Sequence, residues 1–500
     1  MDAIVVGGGP NGLVAGCVLA GAGLDVLLVE AHPTRVGGAV GSEPATRAGF
    51  VHDVGAGFFP WGRLSPALAG LPLERHGLRW CWADIESCHP APDGTIAAIT
   101  RNDDATARFF GGADGDRWRR VLAWYRGIEP RLVDLLLGDP LRVAPAARLG
   151  PAHLARLAHV FLSSGRGLSE RWFAGPAARR VLPGLALHVD VGPDDRFGAA
   201  LGFMLGMTGA TSGYPVPERG AGALAAALAD CFVARGGRIR LGARVARVIV
   251  RGGRAHAVRL AGGEEIAARV ILADTDVAAL LLGLVGPEPL PGGMTDFLQR
   301  YPRGWGTLKV DWALDGPVPW LAEAARRSAV VHAGDSLDDL SRFTAEVRAG
   351  RLPEHPYLVV GQQSIADPGR APAGCHTLWA YTRVPSRVRG GWPAHAETMA
   401  DRMDRRIEGL APGFRHRIMA RRVVSPDALE AMDVNLVGGD LGGGSNAWHR
   451  QLLFRPVFPW FRYRMPVAGL YLCSSSAHPG AGVHGMCGHN AARRVLKDLR

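Results

Sequence analysis

The order of apolar and polar positions in the first 30 residues predicts a strand, a helix and a second strand. Ala3 to Val6 is a short β-branched run of the kind that forms a buried parallel strand. Small and apolar residues from Leu13 to Ala22 follow and predict a helix, which Gly23 closes. Asp25 to Val29 predicts the second strand. This order indicates a βαβ unit built on a parallel sheet.

The central segment, residues 114–207, has apolar residues at helical spacing and is predicted to be a largely helical insertion. Its apolar stripe consists of Trp118, Val121, Leu122, Tyr125, Ile128, Leu132, Leu135 and Leu136. The run from Phe197 to Met207 is apolar throughout. We interpret this run as core, while the wall of an apolar tunnel or a contact with a membrane face stay open as alternatives.

The pattern changes again after residue 220. A helix is predicted over residues 221–234, and a meander of short strands is predicted over 239–241, 245–250, 255–260 and 269–273. Residues 305–384 alternate with a period of two, which predicts a mainly antiparallel sheet. At the C-terminal end, the pattern predicts a buried strand at 469–473, a loop at 474–482 and a helix from Val483 to Lys497.

Composition and charge narrow the class of protein. The 500 residues are 47% hydrophobic, which indicates a globular protein of several domain-sized units and excludes disorder. The net charge is +11, but only Lys309 and Lys497 are lysines among the 57 basic residues. This bias indicates a GC-rich, bacterial genome, so we predict no nucleic-acid partner. Short arginine clusters leave a peripheral contact with a membrane open.

The seven cysteines are odd in number, scattered and free of any C-x-x-C pair. They predict neither a disulfide framework nor a zinc site, and no metal site is expected. No positively charged leader precedes the first strand. We therefore expect a cytoplasmic protein, with peripheral membrane association as the alternative. The oligomeric state is not indicated.

A glycine-rich turn joins the first strand to the first helix. Gly7, Gly9 and Gly12 satisfy G-x-G-x-x-G, and Glu30 follows at the end of the second strand. Gly7 permits a tight turn, Gly9 lets the backbone approach a pyrophosphate, and Gly12 lets the helix pack on the strand. A carboxylate at the position of Glu30 suits the ribose hydroxyls of an adenosine. The sequence thus predicts a dinucleotide site.

A second element follows the ribose acid. Arg35, Gly37 and Gly38 offer a cation and bare backbone to the same pyrophosphate, as an extended cofactor requires. This pattern resembles the FAD-binding two-dinucleotide-fold proteins and implies FAD. No second G-x-G-x-x-G precedes an apolar helix, so a separate NAD(P)H domain is not predicted. The expected electron acceptor is oxygen or a quinone.

The chain resembles the phytoene dehydrogenase-related flavoproteins of the wider flavin amine oxidase superfamily. The residues that carry the likeness are residues 5–13, Glu30, residues 35–38, 49–55, 469–473 and 478–485. The resemblance implies FAD-dependent removal of hydride from a C–C or C–N bond. The chain departs from the family's pattern at Ser474 and Ala481, where glycine is usual. Both side chains would narrow the space beside the flavin.

The resemblance also implies an α/β fold: a Rossmann-like βαβ unit with a β-meander binds FAD, and an inserted α+β substrate domain contains an antiparallel sheet and helices. The FAD-binding domain is predicted to comprise residues 1–80, 215–285 and 440–500. The substrate domain is predicted to comprise residues 81–214 and 286–439. Further cofactor contacts are expected from Val245 to the adenine, from the end of the strand at Ala273, and from Ser475, Gly482 and Val483 beside the flavin ring.

Two residues are candidates for acid or base chemistry. Lys309 resembles the amine oxidase lysine that holds a water near flavin N5; the alternative is an ordinary strand lysine at a sheet edge. His484 follows the flavin loop and titrates near neutral pH when unperturbed, although shaping the loop is its alternative role. Trp379 and Tyr381 share one face of their strand and either wall an aromatic slot or pack against helices.

Three functions remain open from the sequence. The first is an FAD-dependent oxidase, dehydrogenase or desaturase acting on an apolar or aromatic small molecule in an enclosed cavity. The second is a redox-neutral isomerase that requires reduced FAD. The third is a flavin-holding protein without catalytic activity, in which Ser474 and Ala481 would mark lost chemistry.

Overall fold

The computed structural model describes all residues, 1–500. The strands are β1 (Ala3–Val6), β2 (Val26–Val29), β3 (Ser42–Glu43), β4 (His52–Asp53), β5 (Trp80–Cys81), β6 (Ile85–Pro90), β7 (Ile96–Ile99), β8 (Val216–Pro217), β9 (Arg238–Arg240), β10 (Val245–Arg251), β11 (Arg254–Leu260), β12 (Glu265–Ala267), β13 (Val270–Ala273), β14 (Gly306–Leu314), β15 (Ser328–Ala333), β16 (Leu358–Gly361), β17 (His376–Val384), β18 (Ile418–Val424) and β19 (Leu470–Leu472).

The α-helices are α1 (Pro10–Ala20), α2 (Pro66–Ala69), α3 (Asp103–Phe110), α4 (Gly112–Leu137), α5 (Val143–Leu149), α6 (Pro151–Phe161), α7 (Gly165–Trp172), α8 (Pro176–Arg179), α9 (Val181–Ala186), α10 (Gly198–Thr211), α11 (Gly222–Ala234), α12 (Met294–Gln299), α13 (Glu323–Arg326), α14 (Leu337–Arg348), α15 (Gln363–Ala366), α16 (Ala396–Leu410), α17 (Pro426–Met432) and α18 (Met486–Asp498).

A five-stranded parallel sheet combines both ends of the chain. Its order is β19-β13-β1-β2-β9, and every neighbouring pair is parallel. Strand β1 is fully buried because α1 packs on the sheet together with α11 and α18. The antiparallel meander β10-β11-β12 is inserted between β9 and β13. The predicted Rossmann-like βαβ unit is thereby confirmed. Of the four strands predicted as a meander, the middle two, β10 and β11, form it together with β12, whereas the outer two, β9 and β13, belong to the parallel sheet.

A seven-stranded mixed sheet forms the second half of the molecule. Its order is β18-β14-β17-β16-β15-β6-β7, and all pairs are antiparallel except β15 with β6. Leu308, Val310 and Trp312 of β14 point to one side, where they share a buried core with Met403 and Ile407 of α16. The residues between them point to the opposite side, toward the parallel sheet's loops. This agrees with the predicted antiparallel sheet covered by helices on one face.

The predicted domain boundaries remain a prediction. All strands of the parallel sheet lie in the three segments assigned to FAD binding, and all strands of the seven-stranded sheet lie outside them. The core of the parallel sheet nevertheless includes Val133 and Leu137 of α4 and Met294 and Leu298 of α12. Side chains from the assigned substrate segments therefore complete the core of the other half.

The predicted limits of two helices are wrong, and α1 also ends at Ala20 rather than Ala22. Helix α1 begins at Pro10 rather than Leu13, because a proline fits the first helical position, where no N–H is needed. Helix α18 begins at Met486 rather than Val483. Gly482 and Gly485 have φ angles of 120° and 66°, which are incompatible with a right-handed helix, so the helix starts only after them.

No helix of this structure combines the length and the apolar character needed to cross a bilayer.

Candidate active site

A cavity of about 1600 Å³ lies where the loops after β1, β2, β13 and β19 meet one face of the seven-stranded sheet. Small-molecule sites usually measure about 300–1,000 Å³, so this cavity has room for a cofactor and a second molecule. Of the residues predicted for the site, Gly7, Gly9, Glu30, Arg35, Gly38, Val245, Lys309, Ser475, Gly482, Val483 and His484 line it. Gly12, Gly37 and Ala273 do not line the cavity.

The glycine turn between β1 and α1 forms part of the cavity wall. Gly7 has a φ of 96°, and a Cβ there would lie 2.7 Å from the carbonyl oxygen of Asp274. A Cβ at Gly9 would overlap the Asp274 carboxylate. At the N-terminus of helix α1, Pro10 has no N–H and the Gly12 N–H is bonded to Asp274, so the Asn11 N–H and the helix dipole remain available for an anion. The turn thus suits a pyrophosphate.

Glu30 is held rigidly just after β2. Its Oε2 accepts a hydrogen bond from the Gly8 N–H at 2.7 Å, and its Oε1 accepts one from the His32 N–H at 2.7 Å. Each carboxylate oxygen has a further lone pair. The carboxylate therefore has the geometry and acceptor capacity to bind two ribose hydroxyls.

The loop after Glu30 packs on the glycine turn. The Gly37 N–H donates to the Gly8 carbonyl at 2.7 Å, which explains why Gly37 lies behind the cavity wall rather than in it. Arg35 Nη1 donates to the Gly38 carbonyl at 3.2 Å. The guanidinium retains further N–H groups that can reach a phosphate.

Ala273 lies beneath the cavity floor. It is the last residue of β13 and is fully buried between Val6 and Leu472. The next residue, Asp274, reaches the cavity instead. Val245, the first residue of β10, lines the cavity beyond Glu30.

Asp274 is a site residue that the sequence reasoning missed. Its Oδ2 accepts a hydrogen bond from the Gly12 N–H at 2.8 Å, at the start of α1. Burial raises its pKa to about 7, and the carboxylates of Asp433 and Glu30 add to this increase. One signal was present: Asp274 is a polar residue directly after a buried parallel strand, where ligand sites in open α/β sheets lie.

The protonation of Asp274 leads to a prediction about cofactor affinity. Below pH 7 the carboxyl is mostly neutral; above pH 7 it carries a negative charge beside the turn that suits the pyrophosphate. We expect the FAD dissociation constant to rise above pH 7 by up to about tenfold per pH unit. Asp274→Asn keeps an acceptor for Gly12 and should remove this dependence. Fluorescence titration of the flavin-free protein with FAD measures both, and equal slopes would contradict the prediction.

The C-terminal loop closes the other side of the cavity. Arg455 is buried and holds this loop, with Nη2 donating to the Ser475 carbonyl at 2.8 Å. Ser476 Oγ and His484 Nε2 are buried beside the cavity and have no hydrogen-bond partner in the protein. Unsatisfied buried polar atoms are rare in proteins, so these atoms fit a polar ligand.

His484 is neutral in this setting. Its Nδ1 accepts a hydrogen bond from the Met486 N–H at 3.1 Å, and burial lowers its pKa to about 4. His478 is also buried beside the cavity, and burial lowers its pKa to about 4 as well. Because Nδ1 of neutral His484 is the acceptor, its Nε2 carries the proton and can donate a hydrogen bond to a ligand.

Lys309 does not lie at a sheet edge. Strand β14 is flanked by β17 and β18, and the lysine side chain is only 6% exposed. Its Nζ donates to both carboxylate oxygens of Asp311 at 2.6 Å. The alternative interpretation as an edge lysine is wrong, because β18 pairs with β14 on the side opposite to β17. The sequence pattern did not indicate that β18 belongs to this sheet. Lys309 presents a buried, paired ammonium to the cavity.

Some apolar residues of α10 belong to the core, and others form part of the cavity wall. Phe203 and Met207 are fully buried in the helical core, whereas Leu201, Met204 and Leu205 line the cavity. Trp379 and Tyr381 also line the cavity, with their ring centroids 5.4 Å apart.

Two family models match this chain. The profile described as "Flavin containing amine oxidoreductase" matches residues 136–389, and that described as "NAD(P)-binding Rossmann-like domain" matches residues 5–70. The first match spans half of the chain. The chain belongs to the flavin-containing amine oxidoreductase family. It is thus an FAD-dependent oxidoreductase, and the resemblance to phytoene dehydrogenase-related proteins is confirmed.

Relatives of this family member cover nearly its whole length. It is 28% identical to the pyridine nucleotide-disulfide oxidoreductase domain-containing protein 2 of Rattus norvegicus, covering 100% of this chain and 94% of the relative. It is 27% identical to the hydroxyneurosporene desaturase of Cereibacter sphaeroides, covering 99% and 97%. An oxidoreductase from Methanosarcina mazei shares the fold, with a TM-score of 0.65 at 15% identity, covering 99% and 100%. A bacterial origin stays a prediction, since a rodent relative is among the matches.

The residues around the cavity fit the FAD of this family. The glycine turn leaves no room for a Cβ at Gly9, Glu30 is held with acceptor capacity to spare, and His484 Nε2 lacks a partner. Bound FAD supplies a two-electron acceptor that takes up a hydride. The protein's own part is to hold the cofactor and substrate, exclude water and manage protons.

Proposed function

We propose that this oxidoreductase dehydrogenates a C–C bond of an apolar small molecule. The observation that carries the proposal is the wall of the cavity away from the glycine turn. Its apolar part includes Phe161, Leu201, Met204, Leu205, Trp305 and Trp379. Such a wall binds a molecule by burying apolar surface, which contributes about 25 cal/mol per Å².

The charges around the cavity disfavour the alternative of an amine substrate. Lys309, Arg303 and Arg383 all line it. Two nearby carboxylates are already paired: Asp311 with Lys309, and Asp276 with Arg303. Asp190 and Asp433 also line the cavity without an ion pair, and each accepts hydrogen bonds from neighbouring residues. A protonated amine beside Lys309 would meet a cation whose carboxylate is already paired, and like charges in a low-dielectric site repel strongly. A neutral, apolar substrate meets no such cost.

We propose that FAD is held by the predicted residues, while Asp274 in its neutral form supports the turn by accepting the Gly12 N–H. Gly7, Gly9 and Arg35 would bind the pyrophosphate and Glu30 the ribose. Gly12, Gly37 and Ala273 support these contacts from behind the wall, and Gly38 adds backbone at the same turn. Val245 would contact the adenine, while Ser475, Gly482 and Val483 would contact the flavin ring.

Lys309 and His484 are our candidates for polar groups that act on the reaction. Lys309 is a fixed cation at the cavity wall, and His484 has an unpartnered Nε2–H that can donate a hydrogen bond. Lys309→Met and His484→Gln variants should retain FAD and slow its reduction by substrate in the assay below.

The mouth of the cavity supports entry of an apolar molecule. Trp448 and Leu452 line the cavity, and each is 54% exposed. Exposed apolar side chains at a cavity entrance are typical of contact with a partner or a membrane. We propose that the substrate enters here and that peripheral membrane contact assists its transfer. The proposed electron acceptor is oxygen or a quinone; formation of hydrogen peroxide identifies the former.

Anaerobic mixing tests the proposed reaction. Flavin-loaded protein is mixed with phytoene, limonene or cyclohexylamine, and the flavin absorbance is followed. We expect bleaching by a hydrocarbon and none by the amine. Bleaching by cyclohexylamine alone would assign a C–N bond instead. Product formation only after prior reduction of the flavin, without net oxidation, would assign the redox-neutral isomerase.

A further inference from the structure

A row of side chains that are polar except for Val359 lies on one face of the seven-stranded sheet. The strand registers pair Tyr381 with Val359 and Val359 with His332, so these three residues lie side by side on one face. His89 of the next strand, β6, stacks on His332 with 4.5 Å between ring centroids. Tyr381 lies at the cavity, whereas His332 and His89 are buried behind it.

These side chains form one continuous hydrogen-bonded chain. Tyr381 Oη is 3.0 Å from His188 Nδ1, and His188 Nε2 is 2.8 Å from His332 Nε2. His332 Nδ1 is 3.0 Å from Ser87 Oγ, which is 2.9 Å from His89 Nε2. We call these five residues the histidine relay. His188, which follows α9, connects the cavity residue to the buried histidines.

The relay does not hold a positive charge at neutral pH. Burial lowers the pKa of His188 to about 3, and Arg383 contributes to this decrease. Burial also lowers the pKa of His332 and His89 well below the usual range, with Arg180 acting on His89. Each imidazole is therefore neutral, with one N–H and one acceptor nitrogen.

Neutral imidazoles allow two complete hydrogen-bond arrangements. In the first, Tyr381 donates to His188, His188 to His332, His332 to Ser87, and Ser87 to His89. In the second, every donor and acceptor is exchanged, so His188 donates to Tyr381 and the phenol O–H is free to face the cavity. Both arrangements contain the same number of protons and satisfy all four contacts. To change the first arrangement into the second, one proton must be added at Tyr381 and one must leave from His89 Nδ1.

We propose that Tyr381 accepts the proton that dehydrogenation removes from the substrate and that the relay passes a proton on to His89. This rests on the proposed function. One C–H bond breaks with its electron pair leaving as hydride to the family's cofactor. The adjacent C–H bond breaks as its pair forms the C=C bond, and its proton goes to Tyr381 Oη. The phenol proton moves to His188, and each later member passes one proton on.

In this proposal the proton leaves the relay at His89, the last member of the chain. His89 is the second-last residue of β6, just before the exposed turn that contains Asp93. Water is the final acceptor, so no further reagent is needed. Because burial raises the pKa of Tyr381 to about 12, the phenol is neutral at rest. It can therefore accept a proton only while giving up its own, which is what the relay permits.

Ser87 offers a variant that interrupts the relay without removing a titratable group. Ser87→Ala breaks the contact between His332 and His89, whereas Ser87→Thr keeps a hydroxyl at that position. Tyr357→Phe is a matched control: it removes another buried hydroxyl, from a ring stacked on His332, without breaking the chain. Its hydroxyl donates to the Gly184 carbonyl.

Nitrogen NMR of the flavin-loaded protein, labelled with ¹⁵N-histidine, tests the relay without relying on turnover. We expect the assigned signals of His89, His188 and His332 to stay those of neutral imidazoles between about pH 5 and pH 8, as those of His478 and His484 also should. Ser87→Ala should change the tautomer-sensitive shifts of two of the three relay histidines, and Ser87→Thr should restore these shifts. If Ser87→Ala leaves all shifts unchanged, or if the three titrate as ordinary histidines, the relay is refuted.

The rate at which phytoene or limonene bleaches the flavin tests whether the histidine relay takes part in the reaction. Ser87→Ala should bleach about 100-fold more slowly than wild type, which is typical of lost acid or base catalysis. Ser87→Thr should regain most of the rate, and Tyr357→Phe should stay near wild type. In mixtures of H2O and D2O, only relay-competent proteins should show a curved dependence that reveals several moving protons.

Failure of the proposed function and failure of the histidine relay give different results. If no hydrocarbon bleaches the wild-type flavin, the proposed function is wrong, and the catalytic use of the relay is overturned with it. If wild type and Ser87→Ala bleach equally fast, with the same isotope dependence, the proposed function stands and the relay is overturned.

Discussion

Replacing Gly12 by alanine is expected to abolish FAD binding. The added Cβ would overlap the carbonyl oxygen of Gly7 and lie 3.1 Å from the Asp274 Cβ. The Gly7 oxygen belongs to the backbone and cannot rotate away, so the start of α1 must move from the turn. The N–H groups that suit the pyrophosphate then lose their positions, and the helix dipole points elsewhere.

The measurement is the amount of FAD retained after gel filtration, together with the dissociation constant from fluorescence titration. We expect affinity to fall by at least about 100-fold, equivalent to about 2.8 kcal/mol. Gly127→Ala is the matched control, because Gly127 lies in α4 and a Cβ there meets no atom within 4 Å. That variant should bind FAD normally. Retention of FAD by Gly12→Ala would show that the turn does not hold the cofactor.

Removing the charge of Arg370 is expected to cause the largest loss of stability. Its guanidinium is fully buried, with Nη1 2.6 Å from Asp53 Oδ2 and Nε 3.1 Å from Asp367 Oδ2. Nη2 donates to the Pro217 carbonyl at 2.9 Å. Asp53 also accepts from the Ala221 N–H at 2.7 Å. Arg370 therefore joins segments that are far apart in sequence.

Arg370→Met would leave two buried carboxylates without their cation. Breaking a buried ion pair in this way typically costs about 3–5 kcal/mol. We expect the free energy of unfolding to fall by that amount in urea titrations followed by circular dichroism. Arg259→Met, the control, removes an exposed partner of Glu265 and should change the free energy of unfolding little. An equally small effect of Arg370→Met would show that the buried pair contributes nothing to stability.

Much of the cofactor half could be predicted because its signals are local. A glycine turn between a strand and a helix, with an acid at the end of the next strand, needs fewer than 30 contiguous residues. The site on this side of the cavity could therefore be predicted without knowing the tertiary structure, and it contains Gly7, Gly9, Glu30 and Arg35. The start of α18 was misplaced because three closely spaced glycines, whose φ angles are positive, extend the preceding loop.

The substrate half was harder to predict because its chemistry depends on strand pairing. The alternation in residues 305–384 indicated a sheet, but not which strands are neighbours. Lys309 was weighed as an edge residue because β18, more than 100 residues later, was not seen to cover it. Tyr381 was noticed as an aromatic wall residue, yet its link to His188 depends on how α9 and the following residues lie over the sheet.

The amino-acid sequence by itself determined the class of the molecule: an α/β protein with a βαβ dinucleotide site, an inserted helical and antiparallel region, and FAD as the implied cofactor. The elements and the dinucleotide site follow from periodicity and from glycine and acid at fixed short spacings, whereas FAD is what the family resemblance implies. Only the tertiary structure brought Ser87, His188, His332 and Tyr381 into one chain and placed Asp274 against Gly12. The physical reason is range: hydrogen bonds act over about 3 Å, and contacts between distant segments leave no periodic trace in either segment.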